Sequence, residues 1–190
     1  MQTRMKHFGV SMQQHPDALA VLTEFLDVVH KKEPITRIIE IGSGYGGLTT
    51  LFGIWALENG ADVFSIDCYP PKHRKVMEAL GVKVTVDDFW KITRSIHSLI
   101  ESEGRSLVIC DGGNKPHEVI ELHRSLKPTD LILAHDYAVT RDCKFSEWPH
   151  REITDKDIKG LPLMPERLRP GPQGVMERMR RVAWGVWRRT

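Results

Sequence analysis

"RIIEIGSGYGG", residues 37–47, decides how this chain is read. An apolar run closes on an acid, Glu40. Four glycines follow, Gly42, Gly44, Gly46 and Gly47, with Ser43 and Tyr45 between them. A glycine-rich turn after a strand lets backbone approach a nucleotide closely. A phosphate-cradling loop would need GxxxxGK[ST], and no such lysine follows here. Gly42, Gly44 and Gly47 satisfy the dinucleotide pattern GxGxxG, which is a weak signal alone. Glu40 discriminates. A carboxylate beside a pyrophosphate is repelled, whereas one beside an ammonium is attracted. A ligand with a cationic amino-acid end, a ribose and an adenine suits that acid, and S-adenosylmethionine is such a ligand.

Outward from this turn the pattern alternates. Leu19, Leu22, Leu26 and Val29 mark a helix opened by Pro16, and Leu48, Leu51, Phe52 and Trp55 mark another that stops at Gly60. "RIIEI", "DVFSID", "VKVTVDD", "SLVICD" and "DLILAHD" are expected strands. Between the later ones lie "KHRKVMEALG", a helix capped by Asp88 with Ile92, Ile96, Leu99 and Ile100 inward, and a helix opened by Pro116. Such alternation predicts one α/β domain, a Rossmann-like, doubly wound, mostly parallel sheet with helices on both faces. Residues 1–33 are then an N-terminal segment and first helix, 34–137 the nucleotide-binding core, and 138–190 a variable acceptor-side loop with a terminal strand. Right-handed crossovers put the strands' carboxyl ends on one edge, where such sheets bind ligands. Each expected strand ends there in polar residues: Glu40, Asp67, Asp87, Asp111, and His135 with Asp136.

Past Asp136 the pattern loosens. "YAVTRDCKFSEWPH" reads as a loop, "REITDKDIKGL" as a short helix, "PLMPERLRPGPQG" as irregular chain and "RVAWGVWRRT" as a final strand. Core packing is the expected role of Trp184 and Trp187, ahead of a stacking platform for bases.

The bulk properties narrow the class. The 190 residues suffice for one hydrophobic core, and the net charge is a mild +2. No apolar run nears the roughly 20 residues that span a bilayer. "MQTRMKHFGVSMQQHP" lacks a signal peptide's apolar core, so a cytoplasmic protein is expected. Cys68, Cys110 and Cys143 are scattered and form no CxxC pair, which argues against disulfides and a cysteine zinc site. From Glu166 to Thr190 stand seven arginines against two glutamates. We read them as a solvated face flanking the last strand rather than a nucleic-acid arm.

"EIGSGYGG" resembles motif I, E/D-x-G-x-G-x-G, of the class I S-adenosylmethionine-dependent methyltransferases. "GVSMQQHPDAL" is similar to the G-V-x-x-x-Q-x-P segment of the cephalosporin hydroxylase and rhamnosyl O-methyltransferase group. "VICDGGNKPHEVIELHRSLKPTDLILAHDY" resembles that group's fourth and fifth strands, with D-G-x-H-x-x-x-x-V and then D-D, E-D or H-D. The likeness runs from about Gly9 to Tyr137. It departs at Asn114, where the group has histidine, and at His135–Asp136 in place of two carboxylates. One imidazole weakens a hard oxygen site for magnesium, so a divalent metal stays uncommitted.

The resemblance implies methyl transfer from S-adenosylmethionine to a small-molecule acceptor, at a hydroxyl oxygen, with S-adenosylhomocysteine as product. The expected cofactor-binding set is Glu40, Gly42, Ser43, Gly44, Tyr45, Gly46, Gly47, Asp67, Cys68, Asp87, Asp88, Phe89 and Asp111. Within it Asp67 takes the ribose hydroxyls, while Asp87, Asp88 and Phe89 meet the adenine. The catalytic candidates are His135, Lys115 and Asp111. His135 leads as base because it ends a strand and histidine is the side chain whose ordinary pKa lies near neutrality. Lys115 and His117 are rival bases, and Asp111 orients the base or joins Asp136 on a metal. Competing readings are a nucleic-acid methyltransferase, set back by the lack of [DN]-P-P-[YF], a non-catalytic S-adenosylmethionine-binding module, and an NAD-binding protein. A homo-oligomer is compatible with the sequence.

Overall fold

The structure, a computed structural model, describes residues 4–7, 9–140, 150–166 and 174–190. Its strands are β1 (Arg4–His7), β2 (Val10–Gln13), β3 (Arg37–Ile41), β4 (Asp62–Asp67), β5 (Lys83–Val86), β6 (Ser106–Cys110), β7 (Leu131–Ala134), β8 (Tyr137–Ala138), β9 (Ile153–Thr154), β10 (Leu163–Pro165) and β11 (Gly185–Arg189). The helices are α1 (Ala18–Lys32), α2 (Gly47–Asn59), α3 (Arg74–Ala79), α4 (Phe89–Glu101), α5 (Lys115–Leu122), α6 (Asp155–Ile158) and α7 (Val175–Arg181).

Seven strands form the central sheet in the order β10-β11-β7-β6-β3-β4-β5. The five expected strands pair in parallel, whereas β11 runs antiparallel to β7 and β10 antiparallel to β11. β3 lies where the winding reverses: β4 and β5 extend to one side, β6 and β7 to the other. Ligand crevices of open α/β sheets open at such a point.

Side-chain alternation along β3 feeds two cores. Ile38 joins α1, α2 and α7 on one face, around Phe25, Phe52 and Trp184. Ile39 and Ile41 join α4, α5 and α6 on the other, around Ile100, Leu122 and Trp187. Both tryptophans are buried, so they pack the core as expected. Burying a large apolar side chain is worth roughly 1.5–3 kcal/mol, so two such layers carry most of the favourable term. Local signals set the helix ends. Gly60 closes α2 in the left-handed conformation. The side chains of Asp88 and Asn114 cap α4 and α5 by accepting the N–H groups of Trp90 and His117.

Several elements differ from the sequence reading. β1 and β2 form an antiparallel hairpin ahead of α1. β8 and β9 form a two-stranded parallel pair beyond the sheet. α6 is one turn, held by a capping box between Thr154 and Asp157. Leu163–Pro165, within the stretch expected to be irregular, is strand β10, and α7 follows that stretch. Most of the expected loop after Tyr137, with Cys143, lies outside the described residues, as do Arg167 and Arg169. Among the described residues, no helix is long and apolar enough to cross a membrane.

Candidate functional site

The glycine turn joins β3 to α2 and is pinned from both sides. Gly42 N–H donates to Ile66 O at 2.8 Å. Asp67 Oδ2, at the end of β4, accepts Gly44 N–H at 2.9 Å and the Ser43 hydroxyl at 3.2 Å. Its Oδ1 accepts Tyr69 N–H at 3.0 Å. Gly42 has φ 90°, and a Cβ there would lie 2.4 Å from Asp111 O. Only glycine lets the turn pass so close to the end of β6.

Two cavities open along this edge. One, of about 340 Å³, is bounded by Asp67 and Cys68, by Asp87, Asp88 and Phe89, and by Trp90. The other, of about 360 Å³, is bounded by Ser43, Tyr45 and Gly47 on the loop and by Lys115, His135 and Asp136 on the strand side. Gly42, Gly44, Asp111 and Gly112 wall both, so the two halves make one cleft across the strand ends. Thirteen of the fifteen residues named as cofactor-binding or catalytic from sequence stand in its walls.

The exceptions are Glu40 and Gly46, and both require correction. Gly46 adopts the left-handed conformation that starts α2. Glu40 points beneath that helix and is completely buried. Its Oε2 accepts the Thr49 hydroxyl at 2.6 Å and the Ser65 hydroxyl at 2.5 Å, while Oε1 has no partner among the described residues. Burial drives the carboxyl pKa up to about 8 against the pull of those hydroxyls, with the charges of Asp111 and Asp67 adding to the rise. Burial thus favours its neutral form. It supports the loop from behind and is not the exposed carboxylate expected beside an ammonium.

At the other end His135 is held tightly. Nδ1 lies 3.1 Å from Asp111 Oδ1 and 3.4 Å from Asp136 Oδ1, and the ring packs on Trp184 with centroids 4.9 Å apart. Gln14, after β2, donates to Asp111 Oδ2 at 3.0 Å and accepts Trp184 Nε1–H at 3.2 Å. Asp136 has φ 57°, a backbone cost that an aspartate tolerates better than most residues.

Lys115 reaches into the same cluster from the start of α5. Nζ lies 3.0 Å from Asp136 Oδ2, 2.9 Å from Glu152 Oε2 and 3.7 Å from Asp111 Oδ1. Burial lowers its pKa, but Asp111, Asp136 and the bond to Glu152 outweigh burial and hold it above the ordinary lysine value. A lysine held in its charged form cannot accept a proton, which corrects its candidacy as base. His117 lines neither cavity and is bonded to Asn114 at 2.8 Å.

Sequence reasoning did not single out Gln14, Trp90, Glu118 or Glu152. Gln14 stands in "GVSMQQHP" and Trp90 follows Phe89, so both had a local signal. Glu118 is buried on α5 and accepts the N–H groups of Gly112 at 3.3 Å and Asn114 at 3.1 Å, shaping the loop after β6. Burial raises its pKa to about 7, against those two bonds. Glu152 had no signal at all.

Among the described residues, Asp111, His135 and Asp136 are the group whose ligand atoms, all within 4.8 Å of one another, suggest a metal. Magnesium takes six ligands in a near-ideal octahedron, usually oxygens. Here one ligand is an imidazole, and the Lys115 ammonium already occupies the space between Asp111 and Asp136. The residues present do not fit a divalent cation.

No protein-family model and no curated protein sequence matches the chain. Solved structures do. The ligand-free structure of CmcI designated N160 aligns with TM-score 0.67 and 16% identity, over 98% of this chain and 76% of CmcI. The D160 form, described as cmcI with Mg and SAM, gives 0.59 and 19%, again over 98% and 76%. A Staphylococcus aureus protein assigned as a caffeoyl-CoA O-methyltransferase gives 0.56 and 9%, over 95% of this chain and 86% of that one. The chain thus shares the fold of these structures, in this chain a Rossmann-like, seven-stranded, mostly parallel sheet.

Proposed function

We propose that the chain is an S-adenosylmethionine-dependent methyltransferase acting on a hydroxyl group of a small molecule. The observation that carries this is the continuous cleft, with a nucleoside-sized half at Asp67 and a chemically equipped half at His135. The structures that share the fold, one of them described with SAM bound, support the same reading.

In this proposal the adenosine end lies in the Asp67 half. The Asp67 carboxylate accepts ribose hydroxyls on lone pairs the loop leaves over, and Phe89 and Trp90 flank the base. The donor supplies a methyl group already activated on sulfonium sulfur. The C–S bond breaks as the C–O bond forms, leaving a thioether and an acceptor that must shed its proton. His135 takes that proton. Asp111 and Asp136, beside Nδ1, hold the ring and stabilise the imidazolium that results. The walls align the two reactants, the main thing an activated donor requires.

A nucleic-acid acceptor is disfavoured by where three of the five described tail arginines go. Arg178 pairs with Glu24, Arg188 lies 3.6 Å from Glu166, and Arg189 donates to the carbonyls of Arg124 and Leu126. The His135–Asp111 pair likewise favours catalysis over a silent binding module. A cytoplasmic location belongs to the same proposal and is checked by fractionation. The test of the whole is parallel calorimetric titration with S-adenosylmethionine, S-adenosylhomocysteine and NAD. One-to-one binding of the first two without NAD is expected; binding of NAD alone would overturn the proposal.

A further inference from the structure

The acidic groups at the ends of β6 and β7 converge on a nitrogen. Three oxygens lie within hydrogen-bonding distance of Lys115 Nζ: Glu152 Oε2 at 2.9 Å, Asp136 Oδ2 at 3.0 Å and Gly112 O at 3.1 Å. They match the three protons of an ammonium. Asp111 Oδ1, at 3.7 Å, adds charge without a close bond. The Lys115 side chain is only 6% exposed, so this is an interior arrangement and not a surface lysine finding chance partners. Local structure delivers it. Asn114 caps α5 and Pro116 shapes its first turn, which roots Lys115 at the start of the helix beside the strand ends.

A divalent ion bound to Asp111 Oδ1 and Asp136 Oδ2 would lie against that ammonium. The two cations would repel strongly in so dry a place. We propose that Lys115 is a built-in cation that takes the place of a divalent ion in the Asp111–Asp136 cluster, excluding magnesium and manganese and making the centre work without them. The exclusion stands on geometry alone, while the working part rests on the methyltransferase reading. The charge that organises the cluster is then covalently part of the chain. It is a single positive charge, and it lowers an acceptor hydroxyl's pKa less than a metal does, which leaves deprotonation to the imidazole.

The test uses the full chain and manganese, read by its electron paramagnetic resonance signal. Wild type is expected to leave millimolar manganese in the fully hydrated form. Lys115→Met removes the charge at similar length, and should create one manganese site about 10–100-fold tighter than anything in wild type, the range by which groups around a metal tune it. Asp136→Asn added to that variant should abolish the site. Stoichiometric micromolar binding by wild type that Asp136→Asn removes would overturn the proposal. So would a Lys115→Met protein that is folded by circular dichroism yet binds no manganese. Should that variant not fold, the wild-type titration still decides the exclusion. Separately, turnover should survive EDTA; activity lost to chelator and restored by magnesium would refute the metal-free reaction. Failure to bind S-adenosylmethionine would sink the methyltransferase reading and leave the manganese result standing.

Discussion

Glu40→Gln tests the assignment of Glu40 as a neutral, load-supporting acid behind the glycine loop. Glutamine reproduces the protonated carboxyl: its oxygen keeps the Thr49 and Ser65 hydroxyls, and its NH2 group stands at the position of Oε1, which has no partner among the described residues. With the folded-state pKa raised from 4.5 to about 8, the fold favours the protonated form. The stabilisation it contributes is complete below about pH 4.5, fades as pH rises and is lost above about 8. At about 1.4 kcal/mol per pH unit, the gap between those values sets a ceiling of roughly 5 kcal/mol. No solvent screening reduces it, because the side chain is completely buried. Urea denaturation of wild type and variant from about pH 5 to about pH 9 reads the effect. The variant should gain on wild type steadily as pH rises. Glu118 has a raised pKa of the same sign, so the difference between the two curves, not either alone, isolates Glu40. At neutral pH donor affinity should hardly change. Parallel stability curves, or a collapse of donor affinity at neutral pH, would refute the reasoning and restore an ionised Glu40 facing the ligand.

Asp67→Ala should weaken S-adenosylhomocysteine binding by about 1.5–3 kcal/mol in calorimetry, the range for hydrogen bonds to a charged group, and unchanged affinity would remove the ribose assignment. Gly42→Ala puts a Cβ 2.4 Å from Asp111 O at positive φ. It should cost at least about 1–3 kcal/mol in denaturation and abolish donor binding, and a stable variant with normal affinity would show that the turn has room to move. His135→Ala should slow turnover by about 10²–10⁴-fold under saturating donor, and a near-normal rate would pass the proton to another acceptor.

Much of the cleft was legible because its residues sit at fixed offsets from strong local signals. Asp67, Asp87 and Asp111 each follow a short apolar run, and parallel winding brings such ends together whatever lies between. Glu40 was misplaced for a reason contained in the same stretch. Its neighbours Ile39 and Ile41 face α4 and α5, so alternation along β3 turns Glu40 to the opposite face, under α2. An acid in an apolar strand drew attention to its charge and away from its direction. The partners of Lys115 were invisible for another cause. Asp136 and Glu152 are brought to it by the crossover to β7 and the return of the chain through β9, and no periodicity encodes such a meeting. α7 was hidden because its short "VMERMRR" sequence follows the proline- and glycine-rich stretch that ends at Gly174.

The hydrogen bonds from Gln14 to Asp111 and from Trp184 to Gln14 have a consequence for the order of assembly. The loop that would hold the nucleoside draws its bonds from residues 42–67, a short span that closes quickly. The reactive half needs partners 97 and 170 residues apart. During refolding, amides of the glycine loop should therefore gain protection from hydrogen exchange before those around Asp111 and His135, giving a transient species that grips the donor and cannot spend it. Simultaneous protection of both halves in pulse-labelled exchange would show instead that the site is born whole.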